Sequence, residues 1–496
     1  MTNLDPQTPV IVGAAQFTKT DGNAEPIAMM VRVVEAALAD SGAGADLRTR
    51  VDALRPLKGI WPYQDPAALL QAELGLDGAT TGLTPIGGNE AYDLLARSAA
   101  DIAAGAASCV VICAAETMKT RRRDRAAGRT TTYLPEREDA APQQFFGKDV
   151  DFTTDVERAA VAGPPSFYAM AETANRLRRQ ESRADHMARV SALWSKASQV
   201  ASQNPHAVLQ DARTATEIAT ADAGNRMIAD PYPKLMTANV NVDQAAAVIV
   251  CSAEVAAAAG VPRDRWVFPQ VGTGAADHWL TQTRWALDES PAMRLAGAKA
   301  LELADVDFDD IDIVDLYSCF PVAVQVAHKE LGFDPEREFT ITGGLTFNGG
   351  PMNSYCMHPL VTAVGRLRAR SGRAFLSGNG GYFTKHSFAV LGSEPPASGY
   401  QISRLQDQVD ALPARPMPDG TATGGTVESW TVRYNRDGSP ERAVLAVLDD
   451  AGARHWVVSD DQSVIGHAFA ADSAGWSVAF GPGSEATSNV PEAVLV

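Results

Sequence analysis

A double glycine at the start of a predicted helix is the first candidate site for chemistry. In TPIGGNEAYDLL (84–95), Gly87 and Gly88 precede Asn89, a residue type that commonly caps helices, and apolar residues then recur at helical spacing. A helix N-terminus beyond a tight turn is suited to binding an anion or an oxyanion through backbone N–H groups. No Cys, Ser, Thr or Lys stands at the turn itself, so the turn supplies no nucleophile.

A second group of reactive side chains follows an apolar run in the second half of the chain. DIDIVDLYSCF (310–320) predicts a strand whose end carries Tyr317 and Cys319. Cys319 is either a core residue or a catalytic thiol, since a single Cys after an apolar strand allows both. Asn348 and His358 lie further along the chain, and His358 is either an acid–base group or a helix cap.

The glycine-rich stretch GNGGYFTKHS (378–387) carries Asn379, Gly380, Lys385 and His386. It either binds a ligand through backbone N–H groups or forms a plain turn, and it lacks the glycine spacing of a dinucleotide fingerprint. His386 could act as acid or base near neutral pH. No spacing among His, Cys, Asp and Glu is typical of a metal site, so we expect no metal.

Two αβ units of similar layout position these groups. The first unit comprises strand 9–17, helix 26–41, strand 51–56, the helix from Asn89 and strand 109–114. The second comprises the helix from Pro291, strand 310–320, helix 358–372 and strand 374–377. This repetition favours an internal duplication with two layered sheets, helices lying between and outside them, and the alternative is two unrelated α/β domains.

Composition divides the chain into further segments. An arginine-rich start (TRRRDR, 120–125) and polar helices indicate an inserted lobe, whose arginines are either solvated or bind phosphates. Alternating apolar and polar residues near the C-terminus predict a small all-β, barrel-like domain. The predicted organisation is an N-terminal half (1–119 and 236–265), the inserted lobe (120–235), a C-terminal half (266–398), a linker (399–412) and the all-β domain (413–496).

The charge and cysteine content exclude several function classes. A net charge of −17 over 496 residues argues against a nucleic acid or an anionic membrane as partner, although a local basic pocket could still hold a small anion. The chain has 5 Cys without a disulfide-framework spacing, which is typical of a cytoplasmic protein. No stretch reaches the roughly 18 consecutive apolar residues of a membrane span.

Several of these segments together resemble the thiolase superfamily over residues 8–398. The stretches that carry the resemblance are PVIVGAAQF (9–17), the helix and strand of 89–118, KLMTANVNVDQAAAVIVCSAE (234–254), DIDIVDLYSCFP (310–321), GGLTFNGGPMNSYCMHPL (343–360) and LSGNGGYFTKHS (376–387). More narrowly, the chain resembles thiolase-like proteins of type 1, relatives of sterol-carrier-protein-type thiolases that carry an extra C-terminal β domain and are often named acetyl-CoA acetyltransferases. The resemblance implies an α/β thiolase fold of two duplicated βαβ halves, layered α-β-α-β-α, with an inserted loop domain.

The resemblance also implies where catalytic groups would lie, and the chain departs from that pattern. The acyl-accepting Cys of the family falls on Gly88 and its His falls on Gly350, so standard thiolase activity is not expected. The remaining catalytic candidates are Tyr317, Cys319, His358 and His386. The oxyanion or substrate-binding candidates are Gly88, Asn89, Asn348, Gly350, Asn379 and Gly380. The family's inserted lobe binds coenzyme A, and our candidate contacts to that ligand are Asn239 and Asn241.

Three functions follow from these observations. The first is the binding of CoA or acyl-CoA thioesters in lipid metabolism without an acyl-cysteine. The second is a retro-aldol lyase acting on a β-hydroxyacyl-CoA, because some family members of sterol side-chain breakdown carry a Tyr-Asp-Ala-Phe block that Tyr317 and Phe320 match at its two ends. The third is a non-catalytic acyl-CoA-binding or scaffold protein. Thiolases usually dimerise through an edge strand before the glycine turn, where Pro85 removes a donor, so monomer and homodimer both stay open.

Overall fold

The computed structural model describes residues 4–481, 490 and 492–495, whose strands and helices are numbered here in chain order. The strands are β1 (Pro9–Lys19), β2 (Ala53–Pro56), β3 (Thr80–Leu83), β4 (Cys109–Thr117), β5 (Gln144–Phe145), β6 (Met227–Ala229), β7 (Tyr232–Pro233), β8 (Asp243–Ser252), β9 (Phe268–Ala276), β10 (Ile313–Asp315), β11 (Arg373–Gly380), β12 (Lys385–Gly392), β13 (Gln401–Arg404), β14 (Gly424–Tyr434), β15 (Pro440–Leu448), β16 (Arg454–Ser459), β17 (Ser477–Gly481) and β18 (Glu492–Leu495).

The helices complete the description of the regular structure. They are α1 (Pro26–Asp40), α2 (Gly44–Arg48), α3 (Pro66–Leu74), α4 (Glu90–Ala103), α5 (Met118–Ala126), α6 (Asp155–Val161), α7 (Pro164–Arg178), α8 (Arg183–Ser202), α9 (Ala215–Ala219), α10 (Ala253–Ala258), α11 (Pro291–Ala304), α12 (Pro321–Leu331), α13 (Gly344–Phe347), α14 (Met357–Ala369), α15 (Gln406–Asp410) and α16 (Gln462–Ala470).

Two sheets and three helical layers form the main body. The first sheet has the strand order β1-β8-β4-β2-β3-β5, and the second has the order β10-β11-β12-β9-β13. Helices α4 and α14 pack against strands of both sheets, α1 and α3 cover the outer face of the first sheet, and α11 covers the second with α12 beside it. The layered α/β architecture predicted from the sequence is confirmed.

Local sequence explains where the helices of this body begin. Helix α1 starts with Pro26, and the Glu25 carboxylate accepts from the backbone N–H of Ala28 as its cap. Helix α4 starts after Asn89, but the Asn89 side chain does not cap it. That amide instead donates to the Ser387 hydroxyl at 3.3 Å, because the turn between β11 and β12 packs against the start of α4.

The predicted strand 310–320 is much shorter in the structure. Strand β10 covers only Ile313–Asp315, and the chain then leaves the sheet while staying apolar and mostly buried up to Phe320, which precedes α12. The Tyr317 backbone N–H donates at 3.0 Å to the side-chain hydroxyl of Ser377, a residue of the neighbouring strand β11. Two of the catalytic candidates, Tyr317 and Cys319, therefore lie on a largely buried loop beyond the end of β10.

The C-terminal strands form a small closed barrel. Strands β14, β15, β16, β18 and β17 pair in that order, and β17 returns to β14. Buried Trp430 and Val457 belong to its core, and α16 packs on β14, β15 and β18. Strand β6 of the inserted lobe extends the barrel sheet by pairing with β14, so the lobe and the barrel share a sheet.

The interval predicted as a linker, 399–412, has regular structure. Strand β13 pairs in parallel with β9 at the edge of the second sheet, and α15 packs on the same strand. Residues 436–439 connect β14 to β15, and Gly438 there adopts a φ of 88° that favours glycine. Over the described part of the chain, no helix is long and apolar enough to cross a membrane.

Candidate functional site

Gly88 lies at the turn before α4, and the space that a side chain would need there is occupied. A Cβ added to Gly88 would lie 2.5 Å from the Tyr317 hydroxyl oxygen and closer still to the Asn379 carbonyl oxygen. Atoms of this kind cannot approach so closely, so any side chain at residue 88 would displace Tyr317 or the backbone of β11. The Tyr317 hydroxyl, from the second half of the chain, therefore lies beside the N-terminus of α4.

Tyr317 presents that hydroxyl as a proton donor. Its ring packs edge-on against Tyr355, with centroids 5.6 Å apart, and the residue is half-buried. Burial, followed by the neighbouring Cys319, raises the pKa of Tyr317 well above its ordinary value, so the phenol stays protonated. Among the described residues, no side chain or backbone group makes a hydrogen bond with this hydroxyl. It is thus available for an oxygen atom of a ligand.

Cys319 lies near Tyr317 and is covered by the side chains of Asn379 and Tyr168. The Asn379 side-chain nitrogen is 4.0 Å from its sulfur and 3.2 Å from the Tyr168 hydroxyl. The Tyr168 ring stacks on Phe320 with centroids 4.6 Å apart, and Phe383 packs beside it. Burial raises the pKa of the Cys319 thiol to about 12, so a thiolate nucleophile does not form near neutral pH.

Cys356 is also enclosed and protonated. It immediately precedes α14, is fully buried, and lies near the Tyr92 ring of α4. Burial and the nearby Asp315 raise the pKa of its thiol well above the ordinary value. Neither cysteine of the second half therefore has the exposed, electropositive surroundings of a reactive thiol.

An ion pair flanks the glycine turn. The Lys385 amino group lies 3.4 Å from a carboxylate oxygen of Glu90 and also donates to the Ile86 carbonyl. Burial raises the pKa of Glu90 to about 7, so this carboxyl exchanges its proton near neutral pH. Sequence reasoning missed both Glu90 and Tyr168, because Glu90 reads as an ordinary first-turn acid and Tyr168 belongs to the inserted lobe.

The turn between β11 and β12 brings backbone to the same place. A Cβ on Gly380 would lie 3.0 Å from the Gly88 nitrogen and 2.8 Å from the Asn89 side-chain oxygen, so only glycine fits. The buried side-chain oxygens of Asn89 and Asn379 have no hydrogen-bond partner in the described structure. Five candidates therefore cluster near Tyr317 at the glycine turn. Together with Tyr317 they form what is called the Gly88 pocket, and they are Gly88, Asn89, Cys319, Asn379 and Gly380.

The His358 side chain contacts Gln16 of β1, a residue outside the Gly88 pocket. Its Nδ1 lies 2.9 Å from the Gln16 side-chain oxygen, and its Nε2 has no partner among the described residues. It is the second residue of α14 and caps no helix. Burial lowers the pKa of His358 to about 3, so the imidazole stays neutral and packs under β1.

His386 also contacts other groups than the pocket residues. Its Nε2 lies 3.0 Å from the Ser290 hydroxyl and 3.0 Å from the Phe383 carbonyl, with the Asp277 carboxylate at 3.6 Å. Ser290 caps α11. The side-chain contacts of His386 therefore join β12 to the start of α11, whereas the sequence suggested an acid–base role.

The remaining candidates contact the inserted lobe or the segment that follows it. The Asn348 side-chain oxygen accepts from Asn204 at 2.9 Å. The Gly350 N–H donates to the Asn239 carbonyl at 2.9 Å, and the Asn239 side chain accepts from the N–H of exposed Asn241 at 3.2 Å. No group of three or more His, Cys, Asp or Glu that could hold a metal ion occurs within 4–481, 490 and 492–495.

Several known proteins are similar to this chain. Residues 404–482 match the family described as the thiolase-like protein type 1 additional C-terminal domain. The crystal structure of a monomeric SCP2-thiolase like protein type 1 from Mycobacterium smegmatis superposes with a TM-score of 0.83 at 29% identity, covering 99% of this chain and 100% of that one. The Ltp2-ChsH2(DUF35) aldolase superposes with a TM-score of 0.58 at 18% identity, covering 78% and 98% respectively, a likeness of fold.

Curated relatives match over shorter stretches. An acetyl-CoA acetyltransferase of Methanocaldococcus jannaschii is 28% identical over 142 residues, which are 29% of this chain. That match spans only 35% of the relative's own length. The fold and the matches together make the chain similar to members of the thiolase superfamily. Within that superfamily it is similar to the thiolase-like proteins of type 1, as the sequence indicated.

Proposed function

We propose that this protein binds acyl-CoA thioesters without forming an acyl-enzyme. The observation that carries the proposal is that the Tyr317 hydroxyl lies 2.5 Å from where a side chain of Gly88 would begin. The position that the resemblance to thiolases assigns to the nucleophile, Gly88, has no nucleophilic side chain, and a protonated phenol fills the space beside it. A protonated phenol and a helix N-terminus both favour an oxygen with partial negative charge, such as that of a thioester carbonyl.

Coenzyme A binding itself is inferred from the superfamily. Relatives named acetyl-CoA acetyltransferase support an acyl-CoA ligand, and Asn239 and Asn241 of this chain are the proposed contacts. Metal ions have no role in the proposal. The reducing conditions expected from the five buried free cysteines favour the cytoplasm as its location.

Retro-aldol cleavage of a β-hydroxyacyl-CoA is the second candidate, favoured by the same phenol. A base takes the β-hydroxyl proton, the Cα–Cβ bond breaks, and its electron pair moves into an enolate that is reprotonated to give a shorter acyl-CoA and a carbonyl product. Tyr317 could donate to the enolate oxygen. Glu90, with a pKa of about 7, could hold the proton. A solved aldolase shares the fold.

The test measures binding and turnover together. The wild-type protein is titrated with acetyl-CoA and a longer acyl-CoA by calorimetry, while intact mass and free CoA are followed in the same samples. We expect saturable binding with no mass increase and no CoA release. Tyr317→Phe should weaken binding about tenfold, because one hydrogen bond to the thioester oxygen is lost. Tyr434→Phe, in the barrel, is the matched control and should bind normally.

Each result assigns one of the candidate functions. An adduct on Cys319 or Cys356 would contradict the proposal and indicate a relocated nucleophile. Absence of acyl-CoA binding would also contradict it. Cleavage of a β-hydroxyacyl-CoA that Tyr317→Phe abolishes would establish the lyase, whereas binding without turnover identifies a non-catalytic acyl-CoA-binding protein.

A further inference from the structure

A cleft of about 650 Å³ opens at the carboxyl end of β1, between the start of α1 and the segment that follows α5. Its volume falls in the range of small-molecule sites. Strands β1 and β4 run parallel, since each is antiparallel to β8 between them. In layered α/β folds, ligands bind outside the carboxyl ends of such strands. Gly88 follows β3, which is four strand spacings from β1, about 19 Å.

The charges that line the cleft oppose the charge of the whole chain. Four cationic residues, two acidic residues and four threonines line it, and these are Lys19, Arg32, Arg123 and Arg129, Glu25 and Asp124, and Thr120 and Thr130 to Thr132. The net formal charge of the chain is −17. A surplus of positive charge in a cleft of an acidic protein concentrates anionic ligands there.

Two of the cations, Arg32 and Arg123, form no salt bridge within 4.0 Å among the described residues, although Arg123 lies near enough to Asp21 and Asp124 to lower the pKa of both carboxyls. Lys19 pairs with Asp21 at 2.9 Å, and Arg129 pairs with Asp124 at 2.8 Å. Arg32 instead lies over the Phe17 ring, 3.6 Å from its centroid. Arg123 donates to a backbone carbonyl at 3.0 Å. Both guanidinium groups therefore keep N–H donors for a ligand, and the stacking on Phe17 fixes the plane of Arg32.

The acidic residues of the cleft are already engaged. The Glu25 carboxylate caps α1 by accepting from the Ala28 N–H at 2.7 Å, and it also accepts from the Tyr63 hydroxyl. The start of α1 is thus occupied by a side chain of the protein. The anchoring groups for an incoming anion are Arg32 and Arg123, and neighbouring hydroxyl and aromatic side chains can contact its organic part.

We propose that this cleft binds a phosphate ester of nucleotide size at a site separate from the Gly88 pocket. The guanidinium group of arginine matches the geometry of a phosphate group, and Phe17, Met29 and Tyr133 provide apolar surface for a ring. The cleft volume accommodates a nucleoside diphosphate.

Calorimetric titration with ADP, pyrophosphate and adenosine tests the site in the full-length protein. We expect one ADP per chain, weaker binding of pyrophosphate, and an affinity that falls as ionic strength rises. The double variant R32Q/R123Q should bind ADP at least tenfold more weakly. R122Q/R125Q removes two exposed arginines of α5 that do not line the cleft and should bind ADP like the wild type.

A free nucleotide is distinguished from the nucleotide end of coenzyme A by titrating ADP into protein saturated with CoA. Unchanged ADP affinity supports the separate site, and loss of ADP binding overturns it. Equal losses in the two double variants, or no binding of ADP and pyrophosphate by the wild type, also overturn the proposal. Tyr317 does not line the cleft, so Tyr317→Phe should leave ADP binding unchanged. The acyl-CoA proposal can therefore fail without affecting the proposal of an ADP site in the cleft.

Discussion

At the scale of single residues, the unusual feature is that the position of the Tyr317 hydroxyl leaves room only for glycine at residue 88. Gly88 has no side chain, and the Tyr317 hydroxyl and the Asn379 carbonyl fill the space beside it. A cysteine placed there would displace the phenol or the backbone of β11, because a side chain at residue 88 and the Tyr317 hydroxyl cannot both fit. The two residues therefore have to be considered as one unit in any engineering of this pocket.

Gly88→Ala should lower the free energy of unfolding by about 1–3 kcal/mol, because the new methyl group collides with packed atoms. Gly365→Ala is the matched control. Gly365 lies inside α14 with no atom within 4 Å of an added Cβ, so its substitution should raise stability by about 0.5–1 kcal/mol. Urea unfolding monitored by circular dichroism measures both changes. Wild-type stability of Gly88→Ala would disprove the close packing.

Only part of this pocket could be predicted from the sequence. The glycine turn before α4 and the missing nucleophile are visible in residues 84–95. The approach of Tyr317 to Gly88 is not visible, because it depends on how two sheets pack around α4. The same reason explains His358 and His386, whose types suggested chemistry but whose recorded contacts are with Gln16 and Ser290.

At the scale of elements, amphipathic helices were predictable and short or irregular segments were not. Helix α1 buries Ile27, Met30, Val34 and Leu38 on one face, which is the periodicity of the sequence. Strands β5, β6 and β7 contain two or three residues each and carry no alternating pattern. The segment after β10 is apolar because it is buried, and periodicity alone does not separate such a loop from a strand.

Helix α6 carries a buried carboxyl that makes stability depend on pH. Neither carboxyl oxygen of Glu157 has a hydrogen-bond partner among the described residues, and burial raises its pKa to about 8. An unfolded chain ionises this group above about pH 4.3, so its contribution to stability is full below that pH and is lost as pH rises towards 8.

Glu157→Gln should remove the part of the pH dependence that Glu157 causes. Between pH 5 and 8 the wild type should lose stability relative to the variant by up to roughly 1.4 kcal/mol per pH unit. Guanidinium unfolding at several pH values measures the difference. Glu254→Gln, an exposed carboxyl on α10, serves as the control and should follow the wild type. Parallel pH profiles for wild type and Glu157→Gln would contradict the assignment.

At the scale of the whole molecule, the edge of the first sheet is closed by the chain itself. Strand β5 pairs in parallel with β3, and the Phe146 N–H donates to the Leu83 carbonyl at 2.9 Å. The resemblance to thiolases implies that a dimer would form through this edge. Pro85 follows β3 and adds a second obstacle to strand pairing.

We therefore expect a monomer in solution. Light scattering coupled to size exclusion should give the mass of one chain at all concentrations, as in the monomeric relative of Mycobacterium smegmatis. Phe146→Pro removes the N–H that holds β5 on β3 and should increase self-association. A dimer of the wild type that strengthens with concentration would show that another surface associates.

The barrel is joined to the rest of the molecule by a buried arginine. The Arg454 side chain is fully buried, pairs with Glu428 at 2.7 Å, and donates to the carbonyls of Thr281 and Arg284. The sequence predicted the barrel from alternating strands but could not predict this attachment, because it depends on carbonyl groups of a distant loop.

Closure of the sheet edge by β5 has a consequence for how the protein responds to its ligand. In a paired assembly, occupation of one site can change the affinity of its counterpart through the shared interface. A solitary chain has no counterpart, so its titration curve should be hyperbolic, with a Hill coefficient of about 1. The occupied fraction of such a protein rises gradually over about two orders of magnitude in ligand concentration, without a sharp threshold.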